Sequence, residues 1–209
     1  MAVSTAMSTV IAHMSMSLDG FVAGPDQSLE NPLGVGGIRL HQWHFDPVDA
    51  ADAPWRDQLL DRGDAYIMGR NMFGPLRGPW EGDWRGWWGD EPPYHGPVFV
   101  LTHHAREPVE MLGGTTFHFV TDGFDAALQQ ARDAADDGVI DIAGGASTVR
   151  QALESGAVEE LMIDVIPALL GRGEPLLTGL NDPSLTPIEA AHSPHATHIR
   201  YRVGPPPTN

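Results

Sequence analysis

The chemistry that this sequence is equipped for starts at Ile142-Ala143-Gly144-Gly145-Ala146-Ser147-Thr148. An apolar run ends there in paired glycines, and a helical pattern begins at once. Glycines allow close backbone approach and positive φ. A helix start offers unpaired N–H groups and partial positive charge, a combination suited to phosphate. Ser147 and Thr148 add hydroxyl donors. The same residues also suit an ordinary strand-to-helix turn. The run is neither a G-x-G-x-x-G nor a Walker sequence.

Three further stretches could join it. Met68-Gly69-Arg70-Asn71-Met72-Phe73 places an arginine after a short apolar run, where its forked donors would suit a phosphate or pair with a surface acid. Thr102-His103-His104-Ala105-Arg106 follows another apolar run, as a ribose-phosphate contact or as a solvated turn. Ser17-Leu18-Asp19-Gly20-Phe21-Val22-Ala23-Gly24 leaves the first strand candidate. There Asp19 would relay a proton or orient a water, or bond to its own turn.

The elements that must carry these pieces follow from pattern. Strands are expected at Val10 to Met16, Ala65 to Met68, Val98 to Thr102, Phe117 to Thr121, Ile140 to Ala143 and Leu161 to Ile166. A closing antiparallel pair is expected at Pro187 to Ala191 and Thr197 to Val203. Helices are expected at Asp52 to Arg62, capped by Asp52, at Phe124 to Ala135, with Phe124, Leu128, Ala131 and Ala135 on one face, and from a Ser147 cap to Gly156. This alternation predicts an α/β fold with a mostly parallel sheet covered by helices. Ligands of such sheets sit beyond the carboxyl ends of the strands, where all the pieces would gather. Residues 24–47 and 74–97 read as long functional loops. The chain reads as one domain, with its core at about 10–203, a loose start over 1–8 and a Pro-rich tail over 204–209.

Twelve basic against 28 acidic residues give a net charge of −16, which predicts repulsion from nucleic acid and anionic membranes. With no cysteine, thiolate metal sites and cysteine nucleophiles are excluded, and redox chemistry must use a borrowed cofactor. No membrane span or secretory leader is read, so cytoplasmic residence is expected. His192, His195 and His198 would alternate faces of an extended strand, so no metal site is expected. Trp80, Trp84, Trp87 and Trp88 have three readings: a pocket for a flat substrate, a dimer surface, or a satellite core pinning the loop. His41 and His44 are either proton donors or plain loop residues.

In this order, Ser17 to Ala23, Met68-Gly69-Arg70, Gly144 to Ser147 and Leu169-Leu170-Gly171-Arg172-Gly173 resemble the dihydrofolate-reductase-like superfamily. Within it they are similar to the branch that includes the reductase domain of riboflavin biosynthesis, the RibD C-terminal type. The resemblance spans roughly residues 10 to 203. It implies a three-layer fold with antiparallel C-terminal strands, a homodimer, and NADPH across the carboxyl edge of the sheet. Gly69, Arg70 and Asn71 would meet the adenosine-side phosphates, Thr102 and His103 the ribose phosphate, and Gly144, Gly145, Ala146, Ser147 and Thr148 the pyrophosphate. Ala12 and Gly20 would lie near the nicotinamide, with Asp19 as the catalytic candidate. The reaction implied is hydride transfer to a flat C=N or C=O substrate. The alternatives are a flavin- or pterin-binding protein without turnover and a silent interaction module. The chain departs from the pattern in two places. Asp49, Asp52 and Asp57 form no pterin motif, and Ala143 stands where the riboflavin-pathway reductases commonly carry Glu.

Overall fold

The computed structural model describes residues 8–45, 47–60, 63–74 and 78–205. The expected loose start and mobile tail therefore lie almost wholly outside the described residues. Apolar runs bounded by glycine become buried strands: β1 (Thr9–Ser17), β3 (Ala65–Gly69), β4 (Pro97–Leu101), β6 (Thr116–Val120), β7 (Val139–Ile142) and β8 (Glu160–Ile166). They form one sheet with β5 (Val109–Glu110), β10 (Ser184–His192) and β11 (Thr197–Gly204), in the order β10-β11-β8-β1-β7-β3-β4-β6-β5. The strands from β8 to β6 run parallel, and β5, β10 and β11 are antiparallel additions at the two edges. This is the mixed α/β architecture expected. Two short strands, β2 (Phe21–Ala23) and β9 (Glu174–Pro175), pair separately and have no counterpart among the strands expected from pattern.

Alternation along the strands divides the core into layers. Ala12, Ala65, Ile67, Ile140 and Ile142 face α3 (Phe124–Ala135) and α4 (Ala146–Glu154). The buried stripe of α3 is Phe124, Ala127, Ala131 and Ala135, while Leu128 packs at its margin. On the opposite face, Met162 and Ile166 lie under Trp43 and Trp55, the latter carried by α1 (Ala53–Leu60). Further along that face, Met68, Val98, Val100 and Phe117 pack with Phe73 of the one-turn α2 (Arg70–Phe73), and Trp80, Trp84 and Trp88 close over them.

Two expected caps differ in the structure. The backbone carbonyl of Asp52 accepts from Trp55 and Arg56 N–H, but its side chain turns into the core toward His198. Helix α4 starts two residues earlier than expected, so Gly145 rather than Ser147 is its N-cap, at φ 91°. A residue at that φ is a backbone cap without a side-chain acceptor. Ser147 is thereby left in the first turn, exposed. Among the described residues, no helix is long and apolar enough to cross a membrane.

Candidate functional site

A cleft of about 910 Å³ runs along the carboxyl ends of the parallel strands. Its floor is set by the contact between two glycine backbones. Gly69 N–H donates to Gly144 O at 3.1 Å, which ties the end of β3 to the end of β7. A methyl at Gly145 would stand 3.2 Å from Gly69 Cα, and one at Gly69 would stand 2.8 Å from Thr148 Oγ1. Side chains are excluded there by packing as well as by the positive φ of Gly144 and Gly145. The first backbone bond of α4 to this turn is Val149 N–H to Gly145 O. The amides of Ala146, Ser147 and Thr148 come before it, at the helix end that favours anions.

Arg70 stands over this cradle. Its guanidinium carbon lies 3.0 Å from the centre of the Trp80 ring, and Nη1 donates to Thr102 Oγ1 at 3.2 Å. Its Nε is buried without a partner in the described structure. Burial, with Arg106 nearby, pulls this guanidinium down to about 10, still cationic at neutral pH. Trp80 is itself fixed, by Nε1–H donation to His104 O at 2.7 Å. The Trp-rich stretch thus forms the expected satellite core. Trp80, Trp84 and Trp88 pack on the core, and Trp87 and Trp88 also line the cleft.

Gly69, Arg70, Asn71, Thr102, His103, Gly144, Gly145, Ala146, Ser147 and Thr148 all line the cleft. Ala12, Gly20 and Asp19 do not. Ala12 is completely buried between its β7 and β8 neighbours, in the layer under α3 and α4. Its neighbours on the strand, Met14 and Ser15, reach the wall instead. Gly20 makes a turn, donating to Ser17 O and accepting from Leu176 N–H. Asp19 accepts from Ser17 Oγ–H at 2.6 Å and from Leu170 and Gly171 N–H at 3.1 and 2.7 Å. Those bonds, with Ser17 foremost, hold its carboxyl below the usual range. Asp19 thus anchors the 169–171 loop from outside the cleft lining.

A second polar centre lies behind the β1 end of the cleft. Strand register sets Ser15, Asp164 and His198 side by side across β1, β8 and β11. Asp164 accepts from Ser15 Oγ–H at 3.0 Å, from His13 Nε2 at 2.9 Å and from His198 Nδ1 at 2.7 Å. His198 Nε2 faces Asp52 Oδ1 at 2.9 Å, and its ring stacks on Trp55. These hydrogen bonds outweigh burial and hold Asp164 at about 2, while both carboxylates raise His198 above its ordinary value. Ser15 also accepts from Trp43 Nε1–H at 2.9 Å and belongs to the cleft wall. The sequence held a signal for this cluster, polar residues at Ser15, Asp164 and His198 inside strand patterns, but the partners are distant in the chain. His192 and His195 lie on the exposed surface and do not join His198.

Three solved structures share the fold. A candidate riboflavin biosynthesis protein of Shewanella sp. PV-4 aligns with a TM-score of 0.64 at 23% identity, over 94% of this chain and 99% of that one. A diaminohydroxyphosphoribosylaminopyrimidine deaminase/5-amino-6-(5-phosphoribosylamino)uracil reductase of Thermotoga maritima aligns at 0.56 and 13% identity, over 95% of this chain and 57% of that one. Dihydrofolate reductase of Enterococcus faecalis, complexed with NADP(H), aligns at 0.53 and 14% identity, over 93% and 96%. No curated protein matches the sequence. The family model described as the RibD C-terminal domain matches residues 8–198, and on that match, running from β1 into the start of β11, the chain belongs to the RibD C-terminal domain family.

Proposed function

We propose that this protein is an NADPH-dependent reductase that transfers hydride to a small flat carbonyl or imine. The observation that carries the proposal is the Gly69–Gly145 backbone contact, with the start of α4 and Arg70 lining the same cleft. Free amides, excluded side chains and an arginine with spare donor capacity are what a dinucleotide's phosphates require. Family membership supports an oxidoreductase of the dihydrofolate-reductase-like type.

When bound, NADPH supplies a hydride from its reduced ring. The chain's own part is to hold the phosphates at Gly144 to Thr148, to place Arg70 and Thr102 against the adenosine side, and to position the substrate. The buried row behind Ser15 keeps that part of the wall rigid, and the 24–47 and Trp-rich segments shield the cleft from water, where positioning is worth most. The proton that must follow the hydride onto the substrate heteroatom has candidate sources in His41 and His44, both on the cleft wall.

Calorimetric titration with NADPH and NADH tests the reading. The expected result is NADPH affinity in the micromolar range and NADH binding about tenfold weaker or more. Folded protein that binds neither overturns it. A homodimer and cytoplasmic residence belong to the same proposal, and sedimentation equilibrium of the purified protein tests the first.

A further inference from the structure

The proposed reductase leaves open which acceptors can enter, and the charge layout of the cleft bears on this. Adjacent strands are separated by about 4.8 Å, so the β1 end and the β4 end of the cleft, three steps apart in the sheet, differ by about 14 Å. The β4 side holds Arg70, the only arginine among the described residues that lines the cleft, and it sits by the phosphate cradle. The chain has no lysine to supply another cation.

The β1 side is different. Its apolar wall is Met14, Val22, Leu33, Phe45 and Leu59. Its polar groups are Ser15, Gln27, His41 and His44, and burial holds His41 down to about 4 and lowers His44 too, despite the attraction of Asp164. The charged side chain lining this side is an acid, Glu174, carried on β9 opposite Ala23 of β2. Directly behind Ser15 lie the carboxyl groups of Asp164 and Asp52, with His198 between them. His13 faces the same cluster from β1, and Arg56 on α1 is engaged with Asp57.

Resting on the reductase reading, we infer that the acceptor side of the cleft takes an unphosphorylated flat ring, neutral or cationic, and rejects phosphorylated ones. A phosphate there would meet Glu174 and the buried acids with no arginine among the described lining residues of that side to pair it, and unpaired like charge costs affinity steeply. A ring stacked among Phe45, Leu59 and the histidines satisfies the wall with apolar contact and one or two hydrogen bonds. The Thermotoga relative, by contrast, is named for a phosphoribosyl-bearing uracil.

Two matched pairs of probes test this on the whole protein saturated with NADP+: pyridoxal against pyridoxal 5′-phosphate, and riboflavin against riboflavin 5′-phosphate. The absence of lysine removes the usual side reaction of the aldehydes. At least one unphosphorylated probe is expected to bind, and its phosphorylated partner to bind about tenfold more weakly or worse. Glu174→Arg, a change on the cleft rim next to Pro175, whose carbonyl accepts from Arg150 of α4, is expected to bring the members of that pair to within about threefold, with NADP+ affinity of the variant measured alongside. The inference is overturned if a phosphorylated probe binds as tightly as its partner, if neither unphosphorylated ring binds, or if Glu174→Arg leaves the ratio unchanged. Failure of NADP+ itself to bind is seen in the preceding titration and strikes the reductase reading instead.

Discussion

The guanidinium carbon of Arg70 lies over Trp80, 3.0 Å from the ring centre, with Nη1 bonded to Thr102 and Nε left over. These contacts hold the fork before any ligand arrives, so less freedom remains to be lost on binding. Arg70→Ala is expected to weaken NADPH binding by about 10–100-fold, the range of one or two charge-assisted hydrogen bonds. Trp80→Leu should reproduce part of that loss with the charge intact. Calorimetry on variants that retain the wild-type circular dichroism spectrum is the check, and unchanged affinity in folded Arg70→Ala removes the residue from the site.

Gly145 has φ 91°, and a methyl group on its Cα would stand only 3.2 Å from Gly69 Cα. Gly145→Ala is expected to cost roughly 1–3 kcal/mol of stability through backbone strain. It should also displace the start of α4, so nucleotide affinity should fall more than stability does. Gly156→Ala, at the far end of α4 where no heavy atom lies within 4 Å, has a similar φ of 71° but no role in the cradle. It serves as the control for strain alone. Denaturant melts combined with NADPH titration separate the two effects.

His198 gives the fold a pH dependence of definite sign. Its value is raised in the folded protein, so its contribution is complete below the ordinary histidine value of 6.5 and is lost as pH rises through the higher folded value. Asp164 acts in the opposite direction. Held at about 2 against an ordinary 3.8, it contributes about 2 kcal/mol above that ordinary value, lost as pH falls toward 2. Denaturant midpoints should therefore be highest between about pH 4 and 6.5 as far as these two groups are concerned. His198→Phe, which leaves Asp52 Oδ1 without its partner and Asp164 with His13 and Ser15 alone, should cost about 3–5 kcal/mol and flatten the alkaline limb. An alkaline limb that persists unchanged in this variant would assign the effect to another group.

Asp19→Ala removes the acceptor for Leu170 and Gly171 N–H. Amide hydrogen exchange at those two residues should accelerate, while NADPH affinity should change by less than about threefold. A large loss of turnover with slow exchange preserved would instead give Asp19 a catalytic role.

The sequence was informative where function is local. Gly144-Gly145 and Gly69-Arg70 each announce a strand end and a turn within a few residues, so their convergence followed once the strands were read as parallel. Apolar alternation likewise placed β4, β6 and β8 nearly to the residue. What escaped was non-local. Asp52 stands where a helix cap belongs, and only the return of β11 beside β8 gives its side chain a better partner in His198. Ala12 and Met14 share a face of β1, but how far each lies from the open end depends on its β7 and β8 partners, which the strand's own pattern does not encode. The pairing of β2 with β9 joins segments about 150 residues apart, with too few residues in each to leave a periodic trace.

The placement of β1 has a consequence for how the molecule is made. It precedes the other described strands in the chain, yet both its neighbours, β7 and β8, are encoded more than 120 residues later. Until then its two edges are unpaired, and the chain must close a long loop before the strand can be capped on either side, a feature of slow folding. The cradle at Gly144, the buried row through Asp164 and the 169–171 loop anchored by Asp19 all mature in that late step. A nascent chain stalled before β8 is therefore expected to expose one edge of an apolar strand, with the buried row unformed.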